Sequence, residues 1–111
     1  MKLVEAVPTM INDLEGALIR IGRGDIVEQL REVSLTRWTY DETADAAYFY
    51  VQSPRELNIV DVNIIGVKHG ETVSLYDELG INLDLDNHQR LCGVEVLGAS
   101  AIAEELERIA V

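Results

Sequence analysis

One short stretch near the C-terminus has the acidic spacing of a calcium-binding loop. It reads D-L-D-N-H-Q-R-L-C-G-V-E and places Asp84, Asp86 and Glu95 at the first, third and twelfth positions. Such a loop also needs an oxygen ligand at the fifth position and a glycine at the sixth, where this chain has His88 and Gln89. Because a neutral imidazole is a poor ligand for calcium, we expect no metal site here.

The same stretch fits an acidic β-hairpin better. Residues on both sides of N-H-Q-R alternate between apolar and polar, which is the pattern of strands and not of helices. The alternation places Cys92 with the apolar residues of the core. It also predicts which residues lie on the outer side of the hairpin, namely Asn82, Asp84, Asp86, Gly93 and Glu95. Asp84 and Asp86 would face water there.

Other residues that could do chemistry lack a motif that would bring them together. Asp41, Asp45 and Asp84 could pair for general acid–base catalysis, but nothing in the sequence fixes their mutual geometry. Cys92 has no histidine or lysine neighbour in sequence that would activate its thiol, and His88 accompanies no serine or cysteine in a nucleophile context. We therefore assign no catalytic residue, no cofactor and no metal, and the sequence favours a non-enzyme. A small hydrolase or isomerase that uses paired carboxylates stays open as an alternative.

The elements that must position these residues change in type along the chain. Residues 1–34 contain two stretches of helical spacing separated by glycines, which predict a pair of short helices. From residue 35 the period becomes two, which predicts an antiparallel β-sheet of five to six strands over residues 35–98. Residues 99–111 predict a C-terminal helix that Ser100 caps. We therefore expect an α+β fold in a single domain, residues 1–111.

Two segments in the middle of the chain set the expected faces of the sheet. A-A-Y-F-Y-V-Q predicts a strand with Phe49 on one face and Tyr48 and Tyr50 on the other. I-V-D-V-N-I-I-G-V, residues 59–67, predicts a further strand. The K-H-G-E that follows predicts a turn containing His69, and T-V-S-L-Y predicts the return strand.

Charge divides the chain unevenly. The net charge is -11, and residues 38–111 hold four basic and fourteen acidic residues. Nucleic acids and anionic membranes need clustered lysine and arginine, so we expect neither as a partner and expect a basic protein instead. A single cysteine, no apolar run long enough to span a bilayer, and Glu5 and Pro8 within the first residues together favour a cytoplasmic protein.

Two stretches together carry a resemblance to a known family. Y-D-E-T-A-D-A-A-Y-F at residues 40–49 and D-L-D-N-H-Q-R-L-C-G-V-E-V-L-G-A-S at residues 84–100 resemble domain of unknown function 2283, a family of small prokaryotic proteins. The resemblance covers residues 38–100 and leaves the predicted helix pair outside. Ala47 departs from the larger aliphatic residue of the family pattern, and Gln89 departs from its turn glycine.

The resemblance implies an antiparallel sheet and brings no catalytic residue with it. Some members of the family are thought to be encoded beside small toxin-like proteins, which implies an antitoxin-like role. The motif also supplies the candidate site residues of this chain, which are Tyr40, Asp41, Asp45, Asp84, Asp86, Gly93, Glu95 and Ser100.

Taken together, the patterns favour a non-catalytic interaction protein. Bulky side chains on both faces of one strand and three short amphipathic helices exceed what one thin sheet can cover, so we expect a homo-oligomer, most simply a dimer. A small-ligand binder is a further alternative. Its pocket would be formed by the aromatic residues Trp38, Tyr40, Tyr48 and Tyr50.

Overall fold

The computed structural model describes residues 1–53 and 69–110. Its first 34 residues contain three helices, α1 (Leu3–Ala6), α2 (Pro8–Arg20) and α3 (Gly24–Glu32). The predicted pair corresponds to α2 and α3. The additional helix α1 consists of a single turn. Its N-terminus is capped by Glu5, whose Oε1 accepts a hydrogen bond from the backbone N–H of Lys2 at 2.8 Å.

Among the described residues, five antiparallel strands form one sheet, in the order β1-β2-β5-β4-β3. They are β1 (Ser34–Asp41), β2 (Ala46–Gln52), β3 (His69–Leu75), β4 (Ile81–Asp86) and β5 (Leu91–Leu97), and a single turn of helix, α4 (Tyr76–Leu79), joins β3 to β4. The strand expected at residues 59–67 lies outside the described residues. A 3₁₀ turn (Ala99–Ile102) leads into the last helix, α5 (Ala103–Ile109). The prediction of an α+β fold is confirmed.

The predicted turn around His69 is wrong. His69 and Glu71 belong to β3, where they pair with Asp86 and Leu85 of β4. A Cβ atom at Gly70 would lie 2.2 Å from the carbonyl oxygen of Asp86. Gly70 therefore allows two backbones to approach each other at an irregularity of the ladder, which is the other common use of glycine in strands.

Helices and sheet share one hydrophobic core. Phe49, Leu83 and Val94 on the sheet are fully buried, as are Leu14 and Ile26 on the helices. Alternate residues of β2 are buried and half-buried, so Phe49 lies in the core while Tyr48 and Tyr50 lie on the other face, as predicted. No helix among the described residues is long and apolar enough to cross a membrane.

Helix α5 is attached to the N-terminal helices through Glu105. This side chain is only 6% exposed, and its Oε1 accepts a hydrogen bond from the backbone N–H of Thr9, in the first turn of α2, at 3.1 Å. A carboxylate at this position satisfies a helix N–H and is favoured by the helix dipole. The contact joins residues 96 positions apart in sequence.

Candidate functional site

A cluster of hydrogen-bonded side chains lies on the polar face of the sheet around Asp84. The hydroxyl of Tyr48 donates to Asp84 Oδ2 at 2.6 Å, and that of Thr72 donates to Asp84 Oδ1 at 2.8 Å. His69 Nε2 lies 3.0 Å from Thr72 Oγ1 and 3.8 Å from Asp84 Oδ1. We call Tyr48, His69, Thr72 and Asp84 the Asp84 cluster. It joins strands β2, β4 and β3.

Gly93 is what allows Tyr48 to reach Asp84. Strand β5 lies between β2 and β4, and Gly93 pairs with Asp84 on one side and with Tyr50 on the other. A Cβ atom at Gly93 would lie 1.8 Å from the hydroxyl oxygen of Tyr48. The Tyr48 side chain therefore passes diagonally over Gly93, where any larger side chain would block it. This close passage explains why a glycine occupies the position.

The environment of Tyr48 keeps its phenol protonated. Burial raises the pKa of Tyr48 well above its usual range, and the hydrogen bond to Asp84 and the charge of that carboxylate raise the pKa further. The phenol is consequently a stable hydrogen-bond donor near neutral pH. It is poorly suited to lose its proton as a catalytic acid, since a catalytic group needs a pKa near the working pH.

A second cluster surrounds Asp45, at the end of the β1–β2 turn. Tyr40 donates to Asp45 Oδ1 at 2.9 Å, and Ser100 donates its backbone N–H to Oδ1 at 2.9 Å and its hydroxyl to Oδ2 at 2.8 Å. The bonds from Ser100, and then the bond from Tyr40, lower the pKa of Asp45. The carbonyl of Asp45 also accepts from Gly98 and Ala99. Ser100 thus joins the turn to the C-terminal segment instead of capping a helix as predicted.

Asp86 is buried, which contradicts the prediction that it faces water. It is 2% exposed, and its Oδ1 accepts from the backbone N–H groups of His88 and Arg90 at 2.8 and 3.0 Å. Its Oδ2 accepts from Arg90 Nε at 2.9 Å. The carboxylate therefore organises the β4–β5 turn from inside. Strand alternation predicts the wrong side for Asp86 because this aspartate ends its strand. There its carboxylate can accept hydrogen bonds from the N–H groups of the turn, and these bonds determine its position.

The prediction that Cys92 lies in the core is wrong. The β4–β5 ladder shifts register between Asp84 and Leu85, and Cys92 occupies the irregularity. It is half-buried, and its thiol donates to the carbonyl of Asp84 at 3.3 Å. One extra residue in a strand changes which face the following residues occupy, so strict alternation cannot place a residue in a bulge.

The remaining acidic motif residues have separate partners. Glu95 Oε1 accepts from Asn82 Nδ2 at 2.9 Å on the polar face of the sheet. Asp41 Oδ1 accepts from the backbone N–H groups of Thr43 and Ala44 at 2.9 and 3.3 Å, which stabilises the β1–β2 turn.

The four aromatic residues of the expected ligand pocket do not form one cluster. Trp38 pairs with Phe49 across the ladder and stacks on it, with ring centroids 6.4 Å apart, so it shares the core face. Tyr48 and Tyr50 lie on the opposite face, with ring centroids 4.7 Å apart. The pocket as predicted is therefore wrong. Trp38 and Tyr40 instead border a groove beside α5.

The calcium-loop spacing does not correspond to a shared site. Asp84 bonds to Tyr48 and Thr72, whereas both oxygens of Asp86 are used by the turn and by Arg90. Within residues 1–53 and 69–110, no three histidine, cysteine, aspartate or glutamate side chains form a group that could hold a metal ion.

Comparison with known proteins agrees with the sequence motifs. The family model for proteins of unknown function DUF2283 matches residues 37–100. The chain belongs to this family. No curated protein and no solved structure is similar enough to count as a match.

The matched region shares its hydrophobic core with helices outside it. Residues 37–100 include four of the described strands and most of β1, but helices α1 to α3 lie outside it. Those helices contribute fully buried residues to the core, among them Leu3, Leu14, Leu18, Ile26 and Leu30. The DUF2283 sheet therefore packs here against helices that lie outside the residues matched by the family model.

Three members of the site were missed by the sequence motifs. Tyr48, Thr72 and His69 complete the Asp84 cluster, and alternation alone had placed Tyr48 on the correct face. The signal that could have found the contact is Gly93, because a glycine inside a strand often marks close passage of another group. Gly93 points to the contact between Tyr48 and Asp84 only if β5 is known to lie between β2 and β4, and a single sequence does not provide this strand order.

Proposed function

We propose that this protein is a non-catalytic interaction module that works in the cytoplasm as a homo-oligomer, most simply a dimer, and binds a basic protein. The observation that carries the proposal is the engagement of the motif carboxylates. Asp45, Asp84 and Asp86 each accept at least two hydrogen bonds from other residues. Carboxylates held by hydrogen bonds in this way stabilise the fold. We therefore assign the function to binding at the protein surface and not to catalysis by these three groups.

The paired-carboxylate alternative fits this geometry less well. Asp41 bonds within the β1–β2 turn, Asp45 bonds to Tyr40 and Ser100, and Asp84 bonds across the sheet. The three carboxylates thus belong to three separate hydrogen-bond networks. Acid–base catalysis needs its two groups to face one substrate position, which this arrangement does not favour.

The distribution of charge supports a basic partner. Residues 38–111 carry a net charge of -10, and several of their carboxylates are exposed, namely Asp41, Glu42, Asp77, Glu104 and Glu107. A surface of one sign attracts a partner of the other and raises its rate of association. The family resemblance adds an antitoxin-like form of the proposal, in which the basic partner is a small toxin.

Exposed apolar side chains support self-association. Ile19, Ile21 and Tyr76 are 63%, 50% and 56% exposed, and Ile21 and Tyr76 border one shallow depression. Sedimentation velocity at micromolar concentration should give about twice the monomer mass of 12.4 kDa. Ile21→Glu should shift the protein to monomer, while Thr39→Glu on the exposed part of β1 should not. A single 12.4 kDa species for the unmodified protein would exclude the oligomer.

Capture from the native host tests the basic partner. The full chain is used as bait beside a neutralised variant that carries Asp41→Asn, Glu42→Gln, Glu104→Gln and Glu107→Gln. All four side chains are exposed, and an asparagine at position 41 keeps the side-chain oxygen that accepts from Thr43 and Ala44, so the fold should be retained. We expect a basic protein to be enriched on the unmodified bait and reduced on the neutralised one. Equal recovery on both baits, or only acidic proteins, would contradict the proposal.

A further inference from the structure

A groove lies between strand β1 and the C-terminal segment. Its volume is about 240 Å³, and it is bordered by Trp38, Tyr40, Ala103, Leu106, Glu107 and Ala110. Trp38 is half-buried against Phe49, and Tyr40 is 40% exposed with its hydroxyl held by Asp45. The walls are thus mainly apolar, and the stacking of Trp38 and the bond of Tyr40 fix one of them in place.

The dimensions of the groove limit what can occupy it. Sites for drug-sized ligands usually span about 300–1,000 Å³, so this groove is smaller than a typical small-molecule site. Tryptophan and tyrosine are enriched in protein interfaces, where their rings pack against apolar side chains of the partner. The volume suits one or two such side chains and not a whole cofactor.

Carboxylates lie beside the groove. Glu107 is exposed and borders it, and Asp41 and Glu42 follow Tyr40 directly in the chain. The hydrogen bond to Asp45 is the main cause that raises the pKa of Tyr40. Burial comes next, followed by the negative charges of Asp45, Glu42 and Asp41, which therefore lie close enough to act on the Tyr40 hydroxyl. An apolar floor inside an acidic rim complements a segment that has apolar anchors flanked by lysine or arginine.

We propose that this groove is the docking site for a basic segment of a partner protein, which inserts one or two bulky apolar side chains between Trp38 and Leu106. The inference rests on the proposed function and names the surface that would carry it out. The self-association proposed above uses a different surface, formed by Ile19, Ile21 and Tyr76, so a second copy of this chain is not assigned to the groove.

Trp38 provides the readout, since it is the only tryptophan in the sequence and borders the groove. The probe is a synthetic peptide in which leucines recur every three or four residues among lysines. Two matched peptides serve as controls: in one the leucines are replaced by serine, and in the other the lysines are replaced by glutamate. We expect saturable binding of the leucine–lysine peptide with a change in Trp38 emission, and no saturable binding of either control.

Variants of the full chain localise the binding. Ala103 is exposed, so Ala103→Phe should fill the groove and weaken binding about tenfold or more, the loss expected when one anchor contact is blocked. Ala101→Phe is the matched control, because Ala101 is also exposed but borders a different cavity, beside α2 and α4. Glu107→Lys should weaken binding more than Glu32→Lys, which makes the same charge change on α3.

The outcomes separate this inference from the proposed function. If the leucine–lysine peptide binds but Ala103→Phe leaves its affinity unchanged, or if the serine peptide binds as well, the groove is not the site, although an acidic interaction surface survives. If the glutamate peptide binds equally, or if the leucine–lysine peptide does not bind at all, the groove proposal is overturned. The capture experiment with the neutralised bait then decides the proposed function independently.

Discussion

At the scale of single residues, Tyr48 gives the clearest pH dependence. Burial foremost, and then Asp84, raise the pKa of Tyr48 in the folded protein. The unfolded pKa is about 10, so the folded state holds the proton more tightly. The protonated phenol therefore contributes its full stability below about pH 10, and that contribution is lost as the pH rises above this value.

The first prediction uses the corresponding variant. In urea denaturation, the free energy of unfolding of the unmodified protein should fall more steeply between about pH 9 and about pH 11 than that of Tyr48→Phe. Tyr76→Phe, at an exposed position, is the control and should keep the steep dependence. Identical slopes for the unmodified protein and Tyr48→Phe would mean that Tyr48 does not hold its proton as described.

Gln89 gives a second residue-scale prediction. It has a φ of +64°, a left-handed conformation that side chains disfavour, at the position where the resemblance places a turn glycine. Gln89→Gly should therefore raise the free energy of unfolding, by about 0.5–1 kcal/mol after the entropy of glycine in the unfolded chain is deducted. Thr43→Gly, in the other hairpin turn and without a positive φ, should lower it. Destabilisation by Gln89→Gly would show that the turn does not need the glycine conformation.

Residue positions were predictable from sequence where one local rule acted alone. The alternation of β2 placed Phe49 and Tyr48 on their correct faces because the strand is regular. It failed for Asp86, whose carboxylate bonds to turn N–H groups, and for Cys92, which lies in a bulge. Both failures arise from the geometry of one hairpin, which a polar–apolar pattern does not encode.

At the scale of elements, the crossing of Tyr48 over Gly93 joins three strands. Gly93→Ala should displace the tyrosine from Asp84 and destabilise the protein by about 1–3 kcal/mol, since a Cβ atom there would overlap the hydroxyl. In a Tyr48→Ala background the same change should cost much less. Gly24→Ala, at a helical position with no atom within 4 Å of the added carbon, should be neutral or stabilising. Additive effects of Gly93→Ala and Tyr48→Ala in denaturation would contradict the crossing.

Element types were easier to predict than element contacts. Helical spacing located α2 and α3, and the change of period located the sheet. The order β1-β2-β5-β4-β3 places β5 between β2 and β4, and nothing in a single sequence specifies that order. For the same reason the Asp84 cluster, the bond from Ser100 to Asp45 and the contact of Glu105 with Thr9 could not be anticipated.

At the scale of the whole molecule, the sequence shows the net charge and its division along the chain, but not which carboxylates are paired with arginines. Several carboxylates of the acidic part of the chain are paired with arginines. Glu78 and Glu71 pair with Arg20 and Arg23 of the helical segment, and Asp86 pairs with Arg90 of the β4–β5 turn. Four other carboxylates are exposed: Glu107 borders the groove, Asp41 and Glu42 follow its residue Tyr40 in the chain, and Glu104 follows its residue Ala103. A charge effect on binding should therefore follow these four residues, and not Asp86, whose replacement would disturb the fold.

The central claim is that the protein acts by attracting a basic partner to its acidic surface, and association kinetics test it most directly. The measurement is the association rate of the labelled leucine–lysine peptide with the full chain at about 0.01 M and about 0.15 M salt, where the Debye length falls from about 30 Å to about 8 Å. We predict that the rate falls by about tenfold or more with salt, and that the neutralised variant associates slowly at both. A rate that responds neither to salt nor to removal of the four charges would contradict the account.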